Sequence, residues 1–148
     1  MILINMLIIL SSLFSQVNTE AMRGLQENPG THQKMNLSYT YISANSKIVI
    51  FNGSYHLKYN SPSNWQGLFI MKYNRAFEKS KEDFTNKGFI HLRYTRLFLS
   101  NIYIESFLQK EFNYFIDLKN RELIGGGLRF KPYENLFIGT GLMNENEI

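Results

Sequence analysis

The 148-residue chain contains no cysteine, three prolines and only 19% charged residues, and each scarcity excludes something. Without cysteine there is no disulfide framework, no thiolate zinc site, no cysteine nucleophile and no lipoprotein anchor. A hydrophobic share of 44% with a net charge of +4 is not the composition of a disordered chain. The sixteen basic residues form no run, so nucleic acid is not an expected partner. The length suits one domain.

The one long apolar run is at the start, where residues 1–14 read MILINMLIILSSLF and Leu13-Phe14-Ser15 offers a small residue for cleavage. This predicts a signal peptide over 1–15. A run of about 14 residues falls short of the roughly 20 that a membrane-spanning helix needs. No Lys or Arg precedes it, so either the true start lies upstream or the signal is atypical. The expected organisation is a signal peptide (1–15), a polar lead-in (16–32) and a β-barrel domain (33–148).

From there hydrophobicity alternates with period two almost to the last residue, which predicts an all-β chain of about seven strands. Met35, Leu37, Tyr39 and Tyr41 alternate with Asn36, Ser38 and Thr40. Val49, Phe51, Tyr55, Leu57 and Tyr59 alternate with Asn52, Ser54, His56 and Lys58, and Trp65, Phe69, Met71 and Tyr73 open a third strand. Ile90, Leu92, Tyr94 and Phe98 oppose His91, Arg93 and Thr95; Ile102, Ile104, Leu108, Phe112 and Tyr114 oppose Glu105, Gln109, Glu111 and Asn113. In the last two strands Ile124, Leu128 and Phe130 face away from Arg121, Arg129 and Lys131, and Leu136, Ile138 and Leu142 face away from Glu145 and Glu147.

Runs of roughly 10 to 14 residues exceed the 5 to 6 common in soluble domains and match the 9 to 11 of a transmembrane β-strand. Short polar links at Asn45-Ser46, Ser61-Pro62-Ser63-Asn64, Ser100-Asn101, 116–120 and Pro132-Tyr133-Glu134-Asn135 predict an antiparallel up-and-down meander, with one longer loop at 79–86. A periplasmic mature N-terminus would place that loop outside the cell and the Pro-containing turns inside. Tyr55, Tyr59, Trp65, Phe98, Phe130 and Phe137 at one end, and Phe77, Phe89, Tyr114 and Phe115 at the other, resemble interfacial girdles.

The polar face changes sign from strand to strand, and Arg93, Glu105, Glu111, Arg121, Arg129, Glu145 and Glu147 are expected to form a charge network in the lumen. The turns predict Glu105 opposite Lys131 and Arg121 opposite Glu147. Gly125 and Gly127 are expected beside Glu111 and Gln109, and Gly139 and Gly141 opposite Arg129 and Gly127, small residues next to long ones filling a narrow interior. Lys110 is discordant on the apolar face and predicts a bulge near Phe107 or an error of phase there.

No catalytic, metal or cofactor site is expected. His32, His56 and His91 lack metal-ligand spacing, and Gly125-Gly126-Gly127 lies within a strand rather than in a phosphate loop. Glu105 and Glu111 would be roughly 20 Å apart on a strand, too far for a glycosidase pair, and Glu145 and Glu147 fit a polar strand end. A serine–histidine lipid hydrolase would need facing groups, whereas Ser106 and His91 fall on opposite faces.

The segments Gly88-Phe89-Ile90-His91-Leu92-Arg93-Tyr94, Gln109-Lys110-Glu111-Phe112-Asn113 and Arg121-Glu122-Leu123-Ile124-Gly125-Gly126-Gly127-Leu128-Arg129, with the closing Glu145 and Glu147, carry a likeness. The chain resembles the salt-induced outer membrane proteins, the family of domain of unknown function 481. That resemblance implies an outer-membrane β-barrel of Gram-negative bacteria with no established activity. It agrees with strands beyond residue 148, which the odd strand count already predicts: bacterial barrels close with an even number, so the expectation is a C-terminally truncated barrel, or one closed by a partner or by residues not counted among the seven strands.

The expected role is therefore a structural or small-pore outer-membrane barrel. Its partners would be outer-membrane lipid and the barrel-assembly machinery, with any small-molecule ligand unspecified. The alternative is a secreted soluble β-barrel that binds an apolar ligand inside, which would turn the apolar faces inward.

Overall fold

A computed structural model describes residues 28–44, 46–78, 83–133 and 136–148. The expected signal peptide and most of the lead-in lie outside the described residues. Seven strands follow one another: β1 (Gly30–Ser43), β2 (Lys47–Asn60), β3 (Trp65–Glu78), β4 (Asp83–Leu99), β5 (Ile102–Asn113), β6 (Leu118–Tyr133) and β7 (Leu136–Glu147). Each pairs antiparallel with the next in one sheet ordered β1 to β7, the meander that short polar links dictate. The described residues contain no α-helix.

Several boundaries differ from expectation. β1 begins at Gly30, three residues ahead of the expected domain edge, and β4 begins at Asp83, so half of the expected 79–86 loop is strand. Pro132 lies within β6 rather than in a turn, tolerated where the β6–β7 register shifts between Phe130 and Tyr133. Tyr114 leaves β5 and enters a single 3-10 turn (Tyr114–Ile116) closed by Asp117, whose φ of 58° is left-handed. Asn64 takes the same region at 60° in the β2–β3 turn. Asn and Asp are the side chains that accept this conformation most readily.

That turn moves the β5–β6 pairing four residues from expectation. Glu105 lies opposite Gly127, not Lys131, and Glu111 lies opposite Arg121, with Phe107 opposite Gly125 and Gln109 opposite Leu123. The β6–β7 register agrees with the sequence: Arg121 opposite Glu147, Arg129 opposite Gly139 and Gly127 opposite Gly141.

The sheet is strongly curled. Lys72 of β3, Glu111 of β5, Arg121 of β6 and Glu147 of β7 line a single cavity of about 440 Å³. In a flat sheet β3 and β7 would stand about 19 Å apart, four strand spacings. Curling buries one face without a second layer of structure. On that concave face Ile70 (0% exposed), His91 (1%), Leu68 and Leu123 are buried, while the convex face leaves Leu37 (62%), Ile138 (57%) and Leu142 (87%) open. The alternation is thus as read from the sequence, but the concave face is not purely polar. Leu68, Ile70 and Phe89 form its apolar cluster. Phe89 is therefore no girdle residue; neither is Phe137, whose ring lies under Arg129.

The convex apolar residues form a diagonal band. The row Lys34, His56, Ile70, His91, Gln109, Leu123 and Glu145 runs straight across all seven strands and serves as a reference. The upper margin, where outward residues turn to charged groups, Asn or the strand end, descends from Tyr41 on β1 through Tyr73 and Leu108 to Leu142 on β7. The lower margin descends from Met35 through Trp65 and Ile102 to Leu136. Relative to the reference row both margins drop ten residues over six strand intervals, about 1.7 residues per strand. Rings gather along the lower margin, with Trp65 5.0 Å from Tyr59 and 5.8 Å from Tyr94 between centroids.

Lys110 is genuinely on the convex face. No bulge occurs at Phe107, and Lys110 pairs directly with the opposite Glu122 at 2.7 Å. The two sit just above the band, so the phase is sound and the discordant charge marks its margin.

Candidate functional site

The seven expected network residues all project onto the concave face, because each sits at a position of the pleat shared with His91 or Gln109. They separate into two clusters of opposite design. In the first, Arg121 serves three carboxylates: Nη1 donates to Glu111 Oε1 at 3.0 Å, Nε donates to Glu145 Oε1 at 2.5 Å, and Glu147 Oε2 stands 3.7 Å away. Arg121 and Glu111 are both buried, where an ion pair is maintained only when its hydrogen bonds are satisfied.

The chain of bonds continues inward. Gln109 Nε2 donates to Glu111 Oε2 at 2.8 Å, and Gln109 Oε1 meets His91 Nδ1 at 2.9 Å. The polarity of this chain is fixed from its Arg121 end. A guanidinium can only donate, so Glu111 accepts on one oxygen and its other oxygen takes the Gln109 amide N–H. The Gln109 carbonyl is then left facing His91, which must carry its proton on Nδ1. One arginine on β6 thereby dictates the tautomer of a histidine two strands away. Gln109 was placed on the correct face by the sequence, but its part in this relay was not anticipated. The nearest signal was the alternation Gln109, Glu111 on a single strand.

In the second cluster one carboxylate serves two cations. Glu105 lies 3.9 Å from Arg93 Nη1 and 3.5 Å from Arg129 Nη1. Each guanidinium also lies over a ring, Arg93 over Phe107 at 5.5 Å and Arg129 over Phe137 at 4.1 Å. Phe107 stacks on His91 at 5.8 Å and covers Gly125, where an added Cβ would come within 2.7 Å of the ring. Gly127 and Gly141 allow β6 and β7 to approach, since a Cβ on Gly127 would sit 2.2 Å from the Thr140 carbonyl. The glycines thus fill the interior beside long side chains as expected, but beside Phe107 and Glu105 rather than Glu111 and Gln109.

His91 and Ser106 fall on opposite faces: His91 is buried in the relay and Ser106 faces outward opposite Tyr94. His32 Nε2 bonds the backbone carbonyl of Asn28 at 2.8 Å. Among the described residues no group of three or more His, Cys, Asp or Glu could hold a metal ion.

No curated protein and no solved structure matches this chain. The family model described as a protein of unknown function, DUF481, matches residues 35–140, from the middle of β1 to the middle of β7. That span takes in every turn of the meander, the Arg121 and Glu111 pair and all three members of the Glu105 cluster. The chain belongs to the DUF481 family of proteins of unknown function.

Proposed function

We propose that this is an outer-membrane β-barrel protein of a Gram-negative bacterium, structural or forming a small pore, with its convex face against lipid and its charged concave face lining the lumen. One observation carries the reading: buried charges on the concave face and a diagonal apolar band on the convex one. In water the arrangement would be reversed, because a soluble barrel buries its apolar face. The slope of the band supports the reading quantitatively. With a rise of roughly 3.3 Å per residue and about 4.8 Å between strands, a margin falling about 1.7 residues per strand is level when the strands tilt by roughly 49°. Outer-membrane strands tilt by about 35–45°, and a soluble surface has no reason for such a slope. At that tilt the band, about 20–26 Å long measured along the strands, is roughly 13–17 Å tall, shorter than the 25 Å of outer-membrane barrels.

Outer-membrane lipid is then the immediate partner and the barrel-assembly machinery the route of insertion. The reading requires the edges of β1 and β7 to be hydrogen-bonded in the bilayer, since an open edge cannot face lipid. The rival, a secreted soluble barrel around an apolar ligand, is disfavoured by an interior holding His91, Glu111 and Arg121.

The test is to fractionate cells expressing the gene from its own locus and to run the protein on a gel with and without boiling. Recovery in the outer membrane with heat-modifiable mobility is expected. A detergent-free periplasmic or secreted protein would overturn the proposal in favour of the soluble rival.

A further inference from the structure

Five residues on the concave face share one register row: Lys72 on β3, Phe89 on β4, Glu111 on β5, Arg121 on β6 and Glu147 on β7. Curling turns that row into the wall of the cavity of about 440 Å³, with Lys72 at one end and Glu147 at the other. The volume falls within the roughly 300–1,000 Å³ of small-molecule sites. Lys87, two residues before Phe89 on β4, joins Lys72 on the basic side. Leu118, which is buried, and Ile116 add apolar wall beside Phe89.

The two ends of the row carry opposite charges. The Lys72 ammonium rests over the Phe89 ring, 5.6 Å from its centroid, and among the described residues neither Lys72 nor Lys87 meets a carboxylate. Towards the other end, both oxygens of Glu111 accept hydrogen bonds, one from Arg121 and one from Gln109, so that carboxylate is satisfied. Arg121 gives its second bond, from Nε, to Glu145. Glu147 is the carboxylate that remains: it lies 3.7 Å from Arg121 Nε, beyond the 2.7–2.9 Å of a charge-assisted bond, with its side chain 55% exposed. The cavity thus presents ammonium donors on one wall, a carboxylate acceptor on the other and an aromatic face between them. A lone anion drawn to the lysines meets the surplus carboxylates around Arg121, and a lone cation drawn to Glu147 meets two ammonium groups. A molecule carrying both charges satisfies both walls.

We propose that this cavity binds a small zwitterion with an apolar body, an α-amino acid or a molecule of the same charge pattern. Its anionic group accepts N–H bonds from Lys72 and Lys87, its ammonium group donates to Glu147, and its apolar body lies against Phe89 and Leu118. The inference goes beyond the reading of the fold as a membrane barrel and does not rest on it. The site belongs to the concave face whatever medium the convex face meets, so binding and insertion are read separately.

The test uses the full chain, refolded in detergent micelles or, if it stays in solution without detergent, in buffer. Leucine is titrated calorimetrically at about pH 7, where both of its charges are formed. Two controls of closely similar shape are isocaproate, which lacks the ammonium group, and leucinamide, which lacks the carboxylate. Heat-modifiable mobility in vesicles scores insertion on parallel samples, and circular dichroism confirms that each variant is folded. Saturable leucine binding is expected below about 20 mM, with each control at least about tenfold weaker. Lys72→Gln should weaken leucine about tenfold, to the level of leucinamide, and Glu147→Gln about tenfold, to the level of isocaproate. Lys87→Gln should weaken it roughly two- to fivefold. Lys87 and Glu147 are exposed, so their variants keep the test decisive should Lys72→Gln fail to fold. Isocaproate matching leucine would mean a plain anion site and leucinamide matching it a plain cation site, and either result overturns the proposal. So do unchanged leucine affinity in any of the three variants when folded, or no saturation by the parent chain.

Discussion

Replacing Ile138 by Arg tests the orientation of the sheet more directly than any other single change. Ile138 sits on the convex face of β7, 57% exposed, near the middle of the apolar band, and Asn146 lies on the same face of the same strand above the upper margin. If the convex face meets lipid, arginine at 138 destabilises the fold by about 2–4 kcal/mol, as at a bilayer midplane, and at 146 by about 0–1 kcal/mol. A difference near 3 kcal/mol is roughly 150-fold in the folding equilibrium. If the face meets water, both are ordinary surface substitutions within about 0.5 kcal/mol. Leu37→Arg on β1 completes the argument. Leu37 lies ten register rows above Ile138, yet near the centre of the band on its own strand, so it should behave as Ile138→Arg does. The assay is urea titration of the chain folded into phosphatidylcholine vesicles, with the folded fraction read from the mobility of unboiled samples. Equal midpoints for Ile138→Arg and Asn146→Arg would refute the lipid-facing convex surface. A large loss at Ile138 with none at Leu37 would refute the diagonal and hence the strand tilt.

Arg121→Leu leaves the buried Glu111 without its main counter-charge and should cost about 3–5 kcal/mol in the same titration. Adding Glu111→Leu should recover a good part of that loss, and failure to recover would mean that Arg121 matters chiefly through Glu145 and Glu147. Ile70→Ala removes packing at a fully buried position and should cost about 2–5 kcal/mol, well above Leu142→Ala on the exposed edge strand. Gly127→Ala should shift or weaken the β6–β7 pairing because its Cβ would overlap the Thr140 carbonyl, whereas Gly139→Ala should fold normally. Equal folding of the two alanine variants would show that the strands can part to admit a side chain.

The sequence by itself determined the elements, their order and, for most residues, their face. Alternation is a local property, since successive side chains on an extended backbone point oppositely, and it survived here through strands of 12 to 17 residues. The expected network residues share one face for that reason, and Ser106 is separated from His91 for the same one. The β6–β7 register was also legible, because Arg121 and Glu147 flank a short link at fixed spacing.

Tertiary structure decided the rest. A single left-handed residue at Asp117 and one 3-10 turn displaced the β5–β6 register by four residues, which took Glu105 from Lys131 and brought it to Arg129, while the β4–β5 register sets it beside Arg93. Turn geometry of that kind depends on backbone angles that polar composition does not specify. The burial of Leu68, Ile70 and Leu123 among charges requires the sheet to curl, whereas the relay from Arg121 to His91 requires the registers that set Glu111 opposite Arg121 and Gln109 opposite His91. The slope of the convex band is likewise invisible along any one strand and emerges only when seven registers are laid side by side. Alternation assigns two faces to a strand, but only the curvature of the assembled sheet decides which face is enclosed.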